Sequence, residues 1–139
     1  MSRRSLALLA VSVVAFGLGA TSCGGGKSAS EDAVQIVKAF YAHVNANDID
    51  KAMQYVAVEA VFINPTGKYT GRAAVRDFLQ RGALQGIVFE HTNFRVDGGR
   101  VVYDFRVKQG AVLVASGNDG LTVVKDGKIV FDGTEATEP

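Results

Sequence analysis

Between Val101 and Lys108 the chain alternates: Val101, Tyr103, Phe105 and Val107 take turns with Val102, Asp104, Arg106 and Lys108. Side chains on a strand point to opposite faces with a period of two, so this segment predicts a strand with one dry face and one wet face. Such a strand belongs in a sheet covered on one side only. Its surroundings fit: Gly98-Gly99 before it, Gln109-Gly110 after it and Asp126-Gly127 before Lys128–Asp132 are tight-turn signals of an antiparallel meander.

Cover for the dry face is written earlier in the chain. Ser28-Ala29-Ser30-Glu31 fits a capping box, in which the serine oxygen accepts an orphan backbone N–H and the glutamate reaches back to the cap. Val34, Val37, Tyr41 and Val44 then recur at helical spacing, widened by Ala33 and Phe40, so one face of a helix is built to pack. Asn45-Ala46-Asn47 interrupts it, and Asp48 is placed to cap a shorter helix carrying Ala52, Met53 and Val56. A strand over Ala60–Asn64 runs into the turn Asn64-Pro65-Thr66-Gly67, after which a third helix presents Val75, Phe78 and Leu79. Helices gathered first and strands gathered later predict an α+β domain, a curved antiparallel sheet with three helices on one face.

The opening MSRRSLALLAVSVVAFGLGATSC stands apart from that domain. Two arginines precede an apolar run from Leu6 to Ala20 that is short for a permanent span and ends in small residues, the pattern of an export signal. Residues 1–22 are therefore expected to be a signal peptide, routed by the general secretory or the twin-arginine path. Cys23 is the only cysteine, which excludes an intramolecular disulfide and leaves no case for a thiol-based metal site. Ala20-Thr21-Ser22-Cys23 resembles a bacterial lipoprotein box. That resemblance implies a diacylglycerol on Cys23 and anchorage in the cell envelope, at the outer face of the cytoplasmic membrane or in the outer membrane. Residues 23–29 then read as lipidated cysteine and flexible tether, and residues 30–139 as the folded domain. Once Arg3 and Arg4 leave with the signal, acids outnumber bases by one, and no basic stripe suggests nucleic acid.

FYAHVNANDIDKAM, then EAVFINPTGKYTGRAAVRDFL, then strands parted by Gly-containing turns, resemble the nuclear transport factor 2-like superfamily, near its SnoaL-like and ketosteroid-isomerase-like branches. The resemblance runs from Ser30 to about Gly133 and implies a cone: a bent sheet closed by three helices around an apolar cavity, often in a homodimer. Nothing in the sequence calls for a cofactor. The isomerases place an aspartate base before a proline, where this chain has Asn64, and a tyrosine donor on the first helix, where it has Phe40. Neither replacement has the needed group, so steroid isomerisation by that mechanism is not expected. A third group of that branch, an aspartate on a long central strand, matches Asp119.

Period two supports the placement of Asp119: Leu113, Ala115, Gly117, Asp119, Leu121 and Val123 share one face of their strand, expected to look into the cavity. A carboxyl desolvated there has a raised pKa and can donate to a ligand carbonyl or, ionised, act as a base. The alternative is that Asn118-Asp119-Gly120 forms a bulge or turn and leaves Asp119 in water. Ala60, Phe62 and Asn64 share a face, so Asn64 should offer the cavity an amide without proton chemistry. Phe40, Phe62, Asn64, Tyr103, Phe105 and Asp119 make the expected ligand-binding set. His43 and His91 lack a carboxylate at ligand spacing, so no metal site is expected. Arg95, Arg100, Arg106 and Lys108 read as solvated charges of the sheet, and Tyr41 as a source of a cavity hydroxyl or a packed ring with a wet tip.

Three functions stay open on this reading. An exported, lipid-anchored domain that binds a small apolar molecule leads, because Gly117, Ala115 and Asn64 leave room and polarity inside. A cyclase- or dehydratase-like enzyme using Asp119 as acid and base is the alternative. The third is an interaction module that dimerises, or meets a partner, through the sheet.

Overall fold

The computed structural model describes residues 28–139. The expected signal peptide, Cys23 and the tether before Ser28 lie outside the described residues. Helix α1 (Ala29–Asn45) starts where the sequence places it, with Ser28 Oγ accepting the Glu31 N–H at 3.2 Å. Asp48 caps α2 (Ile49–Met53) by accepting the Lys51 N–H at 3.3 Å. Strands β1 (Val56–Asn64) and β2 (Gly67–Thr70), helix α3 (Arg72–Leu84), and strands β3 (Ile87–Asp97), β4 (Arg100–Gln109), β5 (Val112–Lys125) and β6 (Lys128–Thr134) follow, before a closing 3-10 turn at Glu135–Thr137.

The architecture is α+β, with all six strands in one curved sheet in the order β2-β1-β6-β5-β4-β3. Three details depart from the sequence expectation. Val56, expected on the second helix, begins β1, because α2 ends at Met53. Gly67–Thr70 is a strand as well as the end of a turn, folding back on β1 with Phe62 opposite Tyr69. β1 also runs parallel to β6, Val61 opposite Phe131, so the sheet is mixed and not wholly antiparallel. A parallel pair needs a long connection between its strands, and here the connection is β2, α3 and the meander from β3 to β5.

One face of the sheet takes the helices. Phe40, Val37, Val75 and Val101 are wholly buried in the layer between them. Asn45 pins the end of α1 to the edge strand β3: its Nδ2 donates to Phe89 O at 2.7 Å and its Oδ1 accepts the Phe89 N–H at 2.9 Å. The amide thus takes the backbone groups that a further strand would use. On the opposite face Val102, Leu121 and Phe131 gather with Val61, Ile63 and Val123.

Two bulges decide which side chains face the helices. From Gly117 to Gly120, β5 advances three residues while β4 goes from Phe105 to Tyr103. On β6, Ile129 pairs with Val124 and Phe131 with the adjacent Val123, so Val130 is the extra residue. Each insertion exchanges the two faces of the strand beyond it.

Candidate functional site

Both bulges act on one carboxyl. β6 enters the sheet with Ile129 buried against the helices, and the inserted Val130 sends Phe131 to the outer face and Asp132 to the inner one. There Asp132 meets Thr122, its partner across the ladder, which itself points inward only because β5 has already bulged. Asp132 Oδ2 accepts from Thr122 Oγ1 at 2.6 Å, from Tyr41 Oη of α1 at 2.7 Å and from Tyr103 Oη of β4 at 3.3 Å. Tyr103 Oη also lies 2.8 Å from Thr122 Oγ1. Thr122 gives its proton to Asp132, and the single proton of Tyr103 goes either to Thr122, at the shorter distance, or to Asp132; in both arrangements three hydroxyls surround one carboxylate oxygen. Glycines make room for the rings: a Cβ on Gly120 would stand 2.5 Å from Tyr103, and one on Gly117 2.7 Å from Phe105.

The other carboxyl oxygen, Oδ1, has no hydrogen-bond partner among the described residues. No side-chain polar atom among them is both fully buried and unpartnered, so Oδ1 keeps some accessible surface. Asp132 helps to line a cavity of about 570 Å3, and Oδ1 is the oxygen its neighbours leave to it. Phe62, Phe78, Leu79, Ile87, Phe89 and Val107 form apolar wall, and Asn64, Thr66, Tyr69 and Arg81 add polar groups. A wider groove of about 700 Å3 between the start of α1, Tyr55 and the β5–β6 turn has Ala33, Ile36, Ala39 and Val124 in its wall, and its charged residues, Asp32, Lys125 and Asp126, are all exposed.

Burial pushes the Asp132 carboxyl up to about 6, against the pull of its three hydroxyl donors. Burial, and then the charge of Asp132, hold Tyr41 and Tyr103 well above the ordinary tyrosine value, so both remain donors. His91 lies against the same two rings, with centroids 4.0 Å from Tyr41 and, edge-on, 4.5 Å from Tyr103. Burial lowers its pKa to about 4, so near neutral pH it is an aromatic spacer that supplies no countercharge. When Asp132 takes up a proton, Oδ2 is already occupied by donors, and the proton belongs on Oδ1, facing the cavity. The site can therefore donate to a carbonyl, accept from a hydroxyl, or move one proton near neutral pH.

The residues singled out from the sequence fall in three places. Phe62 and Asn64 line the cavity. Asn64 spends its carbonyl oxygen locally, accepting from Thr66 N at 2.8 Å and Thr66 Oγ1 at 2.5 Å, which leaves its amide N–H groups for a ligand. Tyr103 acts on the site through Asp132. Phe40 and Phe105 are packing residues: Phe40 is edge-on to Tyr41 and Phe62 at 4.8 and 5.9 Å, one helical step away from the tyrosine that reaches the carboxyl, and Phe105 covers Gly117. Asp119, expected as the cavity carboxyl, sits on the β5 bulge and is absent from the cavity wall. Asp132 and Thr122 were missed because period two, counted from the buried Ile129, turns Asp132 outward. Only the pairing register reveals the inserted residue.

The model of the SnoaL-like domain matches residues 37–131. No curated protein matches the sequence. Among solved structures, an LEH-like epoxide hydrolase from M. tuberculosis is similar with a TM-score of 0.63 at 20% identity, covering 76% of this chain and 79% of that one. A provisionally assigned polyketide cyclase from Sinorhizobium meliloti gives 0.61 at 20% identity, over 70% of this chain and 91% of the other. A nuclear transport factor 2-like protein from Cytophaga hutchinsonii gives 0.62 at 16% identity, over 72% and 85%. At these identities the likeness is one of fold. The family match is broader in meaning, since it runs from the buried face of α1 to Phe131 and takes in most of the chain: this protein belongs to the SnoaL-like domain family.

Proposed function

We propose that the domain binds a small, mainly apolar molecule in its cavity, with one polar group of that molecule on Asp132 Oδ1, in a protein exported and held to the cell envelope through Cys23. The observation that carries the binding reading is the division of labour within Asp132: Oδ2 is held by three hydroxyls while Oδ1 is left to the cavity. A cavity of a few hundred Å3, apolar apart from a few aimed polar groups, is the usual form of a small-molecule site. The envelope anchor is supported by the sequence before and after Cys23. Native mass spectrometry of protein from its own host tests the binding reading. Wild type should carry a species of small-molecule mass that Asp132→Ala loses. Protein that arrives bare, and whose cavity takes up no uncharged apolar dye, speaks against it.

Catalysis by proton transfer is the second reading, favoured by a carboxyl raised to about 6 with its proton on the cavity side. The acid and base role expected of Asp119 passes in this reading to Asp132, acting on a substrate with an acidic C–H. The cyclase and the epoxide hydrolase of similar fold are compatible with such a use of the container. A pH–rate profile with an apparent pKa near 6 that disappears in Asp132→Asn would separate this reading from binding alone.

A further inference from the structure

The cavity has a second charged group. Of the arginines among the described residues, Arg72 donates to Met53 O at 2.7 Å, Arg76 pairs with Asp50, Arg95 with Asp104 at 3.1 Å and Arg100 with Glu138 at 2.5 Å. Arg106 faces Glu90 across the β3–β4 ladder, where the Lys108 hydrogen bond first, and the Arg106 charge after it, draw the Glu90 carboxyl pKa down. The Arg81 side chain makes no ion pair or hydrogen bond among the described residues, although Asp77 stands one turn before it on α3, and the exposed Arg81 is part of the cavity wall beside Gly82, Gln85 and Ile87. Among the described residues the only acid in that wall is Asp132.

The two charges occupy different ends. Asp132 lies at the ladder level of Thr122 and Val101, whereas Val107 and Ala115 mark the part of the wall near the β4–β5 hairpin. From Val101 to Val107 is six residues of β4, roughly 20 Å of strand at about 3.3 Å each. Arg81 belongs to the hairpin end, since it is in the last turn of α3, just before β3 begins at Ile87 opposite Gln109. The hairpin end is also where apolar side chains stand in solvent: Leu84, Val112, Leu113 and Val114 are all exposed, and Val114 is itself part of the wall.

The geometry points to an amphipathic carboxylate as the ligand, its anionic end on Arg81 at the hairpin end and a hydroxyl or carbonyl at its far end on Asp132 Oδ1. This rests on the binding reading above and adds the class and the direction of the ligand. A guanidinium that makes no side-chain bond among the described residues, carried by a residue of an otherwise largely apolar wall, is suited to a carboxylate, which it can hold with two parallel N–H bonds. An ionised Asp132 repels a second carboxylate and accepts from a hydroxyl, so the anionic end is turned away from the base of the cavity. Arg81 also complements the C-terminal end of the α3 dipole. Phe78, Leu79 and Gly82 of the same helix line the cavity too, so α3 brings Arg81 to the wall and a ligand would use the charge it finds there.

The test uses the purified domain at pH 7.5 with Nile red as an uncharged reporter, displaced by ω-hydroxydodecanoate or by its methyl ester. The free acid should compete at about tenfold lower concentration than the ester, the scale of one charge-assisted pair. Arg81→Gln should bring the acid to the level of the ester, Arg81→Lys should keep part of the preference, and the melting temperatures of the variants control for folding. Equal competition by acid and ester in the wild type, or a preference for the acid that survives in Arg81→Gln, overturns the assignment to a carboxylate and leaves the binding reading standing. If Nile red does not bind and neither compound alters the melting temperature, both readings fall.

Discussion

Tyr41 on the first helix donates its hydroxyl proton to Asp132 on the last strand across 2.7 Å, a bond between residues 91 positions apart in the chain. It is a tertiary bond in the strict sense, since neither residue's element brings the other near. Because Asp132 is raised and His91 lowered within one aromatic cluster, the protonation of the site and the stability of the fold are linked.

The first prediction concerns two opposed slopes. A carboxyl at about 6 in the folded state contributes stability that is fully present below its unfolded value near 3.8 and lost as pH rises through about 6. A histidine lowered to about 4 contributes stability that is present above its unfolded value near 6.5 and lost as pH falls through about 4. Each effect is at most about 3 kcal/mol, and between pH 4 and 6 they cancel. Asp132→Asn should therefore make the melting temperature fall more steeply than in wild type as pH drops across that window, and His91→Phe should make it fall more steeply as pH rises. Parallel melting curves for wild type and both variants would contradict the assigned burial.

Tyr41→Phe removes one donor from Asp132 Oδ2 and keeps the ring against His91 and Phe89. A hydrogen bond to a charged group is worth about 1.5 to 3 kcal/mol and one to a neutral group about 1. Urea denaturation should thus show a larger loss at pH 8, where Asp132 is ionised, than at pH 4.5. A loss independent of pH would mean that the hydroxyl is not bonded to the titrating carboxyl.

Gly120→Ala places a methyl 2.5 Å from the Tyr103 ring, although the backbone there needs no left-handed conformation. The cost is therefore one of contact, about 1 to 3 kcal/mol for overpacking. Tyr103→Leu should relieve it. In a double-mutant cycle the two changes should be less damaging together than the sum of each alone, and strict additivity would argue against the contact.

Asn45→Ala removes both side-chain bonds to the Phe89 backbone. Two orphaned edge groups and a loosened helix end should cost about 2 kcal/mol. The Phe89 amide should exchange with solvent much faster than in wild type, while the amides of β5 in the sheet centre change far less. Uniform acceleration across the sheet would mean global destabilisation and no local clamp.

For the envelope anchor, Cys23→Ser should remove metabolic labelling by a fatty-acid analogue and release the protein from washed membranes. A variant still membrane-held after a salt wash would rule out the lipidated cysteine as the anchor.

What the sequence determined by itself is everything set by local chemistry. Ser28 and Asp48 cap helices because a short side-chain oxygen before an apolar-periodic run has orphan N–H groups to accept. The strand of alternating residues from Val101 keeps Val101 and Tyr103 on the helix side because period two is a property of the backbone. Gly110 and Asp126-Gly127 turn the chain because the positive φ they adopt is local too. Tertiary structure alone decided the site. A bulge is stabilised by what neighbouring strands pair with: Asn118-Asp119-Gly120 offered one by composition as an open alternative, whereas nothing around Val130 signals that a residue will be left over there. One inserted residue exchanges the faces of everything beyond it, so the same physics that made the strands legible left Asp119 in the β5 bulge, outside the cavity lining, and brought Asp132 into it.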